Sequence, residues 1–183
     1  MQNSKYHISG KSGQSLIEAM VAIAIATVGF IGIASLLAQS LYLAKVISDQ
    51  ETATYLASEG IELAKNLLDH DINLASFGVP WGSCWNGGKT LNDPHVELDY
   101  GSVDCSKHFI PGHGDPLYYD PVTHYYGYNL PAADNPVKTG FVREIIIQKD
   151  TNPDMTVLSI VTWATGGYSQ SLTLEDHFYN WKP

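Results

Sequence analysis

The chain has 183 residues, a length for one domain or one domain with an appendage. Ten Lys and Arg stand against nineteen Asp and Glu, a formal charge of −9, which argues against a general phosphate-binding surface and so against direct nucleic-acid binding. Charged residues are only 16% of the chain, below the roughly 25% of an ordinary soluble domain, and two cysteines cannot build a four-ligand zinc site unaided.

The first feature in chain order is a short basic leader: the thirteen residues before Gln14 carry Lys5 and Lys11 and no acid. From Ala19 to Ala44 come 26 residues without a charge. A bilayer-spanning helix needs about 20, whereas the apolar region of a secretory signal is only about 7–15 residues. The segment is therefore read as a membrane span that stays on the protein. The basic leader and the acidic remainder place the N-terminus inside and the C-terminus outside. Glu18 stands at the head of the apolar run, where an ionised side chain costs about 2.5–3.5 kcal/mol at mid-depth and less near an interface. Its placement marks it as a functional candidate. The plainer alternative is an uncleaved anchor whose glutamate snorkels to the interface.

Gly13, then Gln14-Ser15-Leu16-Ile17-Glu18, after a basic leader and directly before an apolar span, resembles the class III leader of type IV pilins and of type II secretion pseudopilins. The resemblance implies cleavage after Gly13 by a prepilin peptidase, so that 1–13 is a removed leader. It also implies Gln14 as the new, methylated first residue, and an assembly role for Glu18 as the family's fifth-position glutamate. Gln14 departs from the Phe usual in major pilins and favours a minor subunit.

Residues 45–71 continue the helix beyond the span 14–44. Ala53, Leu56, Ala57, Gly60, Ile61, Ala64, Leu67 and Leu68 recur at i, i+3, i+4 spacing and form one apolar stripe, with Asp49, Glu51, Glu59 and Glu62 largely off it. This amphipathic half is expected to back a globular head.

Residues 72–140 hold seven of the nine prolines and nine of the sixteen glycines. Turn pairs such as Gly87-Gly88, Asp93-Pro94, Asp115-Pro116 and Asn135-Pro136 predict a loop region poor in strands. Cys84 and Cys105 enclose twenty residues of it. In a domain outside the cytoplasm they are expected to form a disulfide, contributing about 3 kcal/mol on the chain-entropy model. The Trp and Tyr residues of this region are read as core packing, the alternative being a ligand-stacking platform. His95, His108, His113 and His124 lie near Asp93, Asp99, Asp104, Asp115 and Asp120, but their spacing matches no standard metal site, and neither a metal nor a cofactor is expected.

Residues 141–183 read as antiparallel sheet with a C-terminal tail. FVREIIIQK (141–149) is rich in β-branched residues, TVLSIVTWAT (156–165) is apolar on both faces, Gly166-Gly167 signals a hairpin, and YSQSLTL (168–174) alternates. An Arg-bearing strand followed by one ending in Val-x-Trp is similar to the heads of minor pilins.

The expected fold class is α+β: a long N-terminal helix, half transmembrane and half amphipathic, packed on a small antiparallel sheet. The expected function is a non-enzymatic minor pilin-like subunit, stored in the cytoplasmic membrane and then displayed in a cell-surface filament. Its partners would be prepilin peptidase, other pilin subunits and the pilus assembly platform. A type II secretion pseudopilin is the near alternative. A single-pass membrane-anchored binding or enzymatic domain is the alternative of a different class. No nucleophile elbow, P-loop, dinucleotide fingerprint or H-E-x-x-H motif is present.

Overall fold

The structure, a computed structural model, describes residues 12–75, 95–99, 114–128, 130, 135–149 and 154–179. Most of the leader, both cysteines, His108, His113, Asp93, Asp104, the Trp81 and Trp85 pair and the tail beyond Tyr179 lie outside the described residues.

One helix, α1, runs Ser12–Ala75 for 64 residues. No proline interrupts it, and Gly78 and Pro80 follow it, residues unable to prolong a helix cheaply. The chain divides within this helix into two compact units, one through Lys45 and the other from Val46 onward. In the first unit every residue from Gln14 to Lys45 is exposed. The second unit is an α+β head in which the rest of α1 packs on an antiparallel sheet.

That sheet has six strands: β1 His95–Val96, β2 Pro116–Tyr119, β3 Tyr126–Gly127, β4 Val137–Lys149, β5 Asp154–Thr165 and β6 Tyr168–Tyr179. The order is β3-β2-β4-β5-β6, with β1 also pairing β4, and all pairings are antiparallel. One edge of β4 is shared: its first half pairs β2 (Lys138 with Tyr118) and its second half pairs β1 (Ile146 with His95). Its other edge pairs β5 from Val142–Thr162 to Lys149–Met155. β5 and β6 form a hairpin of twelve residue pairs from Thr165–Tyr168 to Asp154–Tyr179. Gly166 and Gly167 turn it with φ of 61° and 85°, the left-handed pair that a two-residue type I′ hairpin requires.

Two sequence expectations need correction. The 72–140 region contributes β1, β2, β3 and the first four residues of β4, so it is not strand-poor throughout. Two of these strands are two residues long, too short to show periodicity, and all are held by pairing rather than by pattern. The last strand does not stop at Leu174: it continues to Tyr179, because β5 begins at Asp154 and offers Glu175–Tyr179 a partner.

The core lies between α1 and the sheet in two apolar clusters. Ala53, Leu56 and Ala57 of α1 pack with Leu117, Val161 and Trp163. Nearly two helical turns further on, Leu63, Ala64, Leu67 and Leu68 pack with Val96, Leu98, Ile145, Met155 and Val157. Alternation on β5 supplies the sheet side: Met155, Val157, Ser159, Val161, Trp163 and Thr165 are all buried. A fully buried Leu or Val contributes about 1.5–3 kcal/mol relative to exposure. At the start of the packed half, Thr165 donates a 2.8 Å hydrogen bond to the Asp49 carboxylate, tying the hairpin turn to the helix.

Candidate functional site

Gly13 and Gln14 fall in the first turn of α1, and Glu18 lies one turn further on. Gln14 and Glu18 are exposed, as is the whole apolar run behind them: Ile17 is 65% accessible, Val28 72% and Phe30 72%. This is the one helix among the described residues long and apolar enough to cross a membrane, and none of the described residues covers its apolar stretch. A helix apolar all round needs lipid or other helices around it. Arrayed in this order are a small residue, a polar residue, a carboxylate one turn later, and an uncovered apolar rod. Cys84 and Cys105 lie outside the described residues.

The second arrangement is a polar band dividing the two apolar clusters. Along α1 it occupies Glu59 and Gly60, between Ala57 and Leu63. On the sheet it occupies Arg143 and Ser159, flanked by Ile145 and by Val157 and Val161. Arg143 is completely buried. Its Nη1 sits 3.2 Å from Glu59 Oε2 and donates to the Leu56 carbonyl at 3.3 Å, while its Nη2 donates to the Leu98 carbonyl at 2.9 Å. One side chain thus joins the helix, β4 and the segment after β1. Tyr128 lays its ring 6.0 Å from the guanidinium carbon, and its hydroxyl donates to the carbonyl of Arg143. Asp99 accepts the Tyr128 N–H at 3.2 Å, and the buried Glu97 accepts the Asp115 N–H at 3.3 Å.

The electrostatics follow from this packing. Desolvation raises the Glu59 pKa above its ordinary value, Arg143 pulls it back, and Asp99 adds to the rise. Burial likewise drives the Tyr128 hydroxyl strongly upward. Arg143 Nε and Ser159 Oγ are buried without a hydrogen-bond partner among the described residues. At Gly60 a Cβ would sit 2.3 Å from Ser159 Oγ, so helix and sheet approach here as closely as glycine allows. The band is suited to fixing the register of helix on sheet, since sliding the helix by one turn would bring Arg143 against apolar residues.

The histidines and aspartates of the middle region are used locally where they are described. Asp120 accepts the Val122 N–H at 2.9 Å and the Thr123 hydroxyl at 2.6 Å. These bonds, the Thr123 bond first, hold its carboxyl below the usual value. His124, at φ 62°, closes the same turn: its N–H reaches the Asp120 carbonyl at 2.8 Å and its Nδ1 meets the Tyr119 hydroxyl at 2.6 Å. Tyr119 and Tyr126 pack at 5.0 Å between centroids. Among the described residues no group of three or more His, Cys, Asp or Glu is placed to hold a metal.

The chain matches no family model, no curated protein and no solved structure. The polar band is the element that sequence reading missed. Arg143 lies in an otherwise β-branched strand, FVREIIIQK, and its position on the same side as Phe141 and Ile145 was the available signal.

Proposed function

We propose that the chain is a minor pilin-like subunit of a type IV pilus, processed after Gly13 and assembled through the first half of α1. The observation that carries this reading is Glu18. It is exposed at the head of an apolar helix that the described residues leave uncovered, one turn after a Gly13-Gln14 step that resembles a prepilin cleavage site. Cleavage would leave a new ammonium at Gln14 within a turn of the Glu18 carboxylate, which also complements the free N–H groups of a helix start. In an assembly Glu18 would meet the ammonium of a neighbouring subunit in apolar surroundings, where opposite charges attract far more strongly than in water. The head, with its register set by the Arg143 band, would then be carried on the filament surface. An exported head is also where a Cys84–Cys105 disulfide would form.

The test separates processing from assembly. Mass spectrometry of the mature protein should find Gln14 as the first residue, and Gly13→Asp should retain the leader. Glu18→Ala should still be cut but enter filaments poorly. A mature chain starting at Met1 beside an active prepilin peptidase would sink the reading. Recovery in sheared surface filaments supports a pilus, whereas confinement to a secretion apparatus assigns the same machinery to a pseudopilin.

A further inference from the structure

The sheet ends on β6, whose outer side has no strand partner among the described residues. Which backbone groups face outward follows from the hairpin. Thr165 and Tyr168 flank its two-residue turn and form the closing, doubly hydrogen-bonded pair, so the even-numbered residues of β6 bond β5 and the odd-numbered ones point away. One bond checks the parity: the N–H of His177 is taken at 2.8 Å by the carboxylate of Asp176 and not by the ladder. The outward groups available are therefore those of Ser169, Ser171, Thr173 and Glu175. The hairpin turn bounds them at one end and the Asp176 cap at the other.

From Ser169 to Leu174 this stretch lacks the usual edge protection, its acids Glu175 and Asp176 standing at the far end. β6 contains no Lys, Arg or Pro, and its twelve pairs with β5 run without a bulge. Its midpoint is Leu172, and around that point it is complementary to its own reverse. In an antiparallel pair centred there, Leu172 faces Leu172, Gln170 faces Leu174, Ser171 faces Thr173, and Ser169 faces Glu175. Hydroxyls meet hydroxyls, and the half-buried Leu172 and Leu174, which pack against the core cluster, continue their apolar row across the seam. The acids meet neutral residues, whereas a pair centred on Glu175 would set like charges opposite each other.

We propose that the outer edge of β6 pairs antiparallel with β6 of a second copy of this chain, centred on Leu172. The pairing is isologous and does not depend on the pilin reading. Seven residues of strand bury little area, so the association is weak and is seen at high local concentration.

The experiment uses the full chain in detergent at rising concentration, with single cysteine substitutions read by non-reducing peptide mapping, so that links through Cys84 or Cys105 are told apart. Leu172→Cys places both new thiols in a directly opposed, non-hydrogen-bonded pair about 4.5 Å apart between Cα atoms, within reach of a disulfide. Ser169→Cys places them six positions apart along the strand, about 20 Å. A link from position 172 to position 172, growing with concentration and missing for Ser169→Cys, is the expected result. Ser171→Pro, which removes an outward N–H and spares the ladder to β5, should abolish dimers of the otherwise unmodified chain. Equal linking at 169 and 172, or none at 172 while the hairpin is folded, overturns the proposal. A foreign strand on this edge would give the latter outcome.

Discussion

Arg143 ties the helix, β4 and the segment after β1 through one buried side chain. Removing one partner of a buried ion pair typically costs about 3–5 kcal/mol, and Glu59 is partly exposed, which lowers the share due to the pair itself. The carbonyls of Leu56 and Leu98 also lose their donor. Arg143→Ala should therefore destabilise the head by about 3 kcal/mol, read from urea unfolding followed by the fluorescence of buried Trp163. Gly60 offers a cleaner test. On an open helix Gly→Ala gains about 1 kcal/mol, but here the new methyl meets Ser159, so Gly60→Ala should destabilise. Ser159→Gly in the same chain should recover most of the loss, a coupling that independent sites would not show. The two shifted carboxylates act in different pH windows. Glu59 holds its proton more tightly when folded, so its contribution is complete below pH 4.5 and fades as pH rises through its folded value. Glu59→Gln should flatten that decline. Asp120 is shifted the other way, so its contribution is present above pH 3.8 and is lost as pH falls through its lower folded value. Asp120→Asn should remove that acid limb, with urea midpoints against pH reporting both.

At the scale of elements, long and periodic segments were readable and short ones were not. The stripe from Ala53 to Leu68 named most of the helix residues that are now buried, because a 3.6-residue period sustained over several turns fits a helix and no strand. The Gly166-Gly167 hairpin was equally plain, since only glycine takes both of its φ values at no steric cost. β1 and β3 were not legible. Two-residue strands carry no period, and His95–Val96 becomes a strand only because Ile145 and Ile146 lie beside it. Likewise Glu175–Tyr179 alternates poorly, yet it is strand because β5 is equally long. Of the candidate site, Gly13, Gln14 and Glu18 are candidates by motif alone, a signal that is local in sequence. The Arg143 band was not, because its parts come from residues 56 to 159 and only folding brings them together. Ser159 interrupts an otherwise apolar strand, and it marks where Gly60 comes closest.

The whole molecule joins two units of opposite character. The first presents apolar side chains in every direction, and the second buries them on one side of α1. If the first unit is a membrane and filament element, substitutions there should leave head stability unchanged. Val28→Asp should lower membrane insertion, scored by glycosylation mapping or fractionation, without moving the urea midpoint of the head. Leu67→Ala should do the reverse, costing the head about 2–5 kcal/mol as a buried Leu→Ala change does while insertion stays intact. A Val28→Asp chain that unfolds the head as well would show that the two units are not separable.

The bond between Asp49 and Thr165 spans 116 residues of sequence. At synthesis rates of about 5–20 residues per second, the helix is made on the order of ten seconds before the strand that receives it. Through that interval the stripe Ala53–Leu68 has no sheet to cover it, because β4 and β5, which form most of its seat, are made well after it. Contacts so distant in sequence also close slowly. A chain released before residue 154 would keep its apolar rod and lose the seat for its stripe, a species prone to aggregate. The order of synthesis therefore bears on the yield of this head: a holding factor on the nascent helix should raise the yield of folded protein, and faster translation should raise it too.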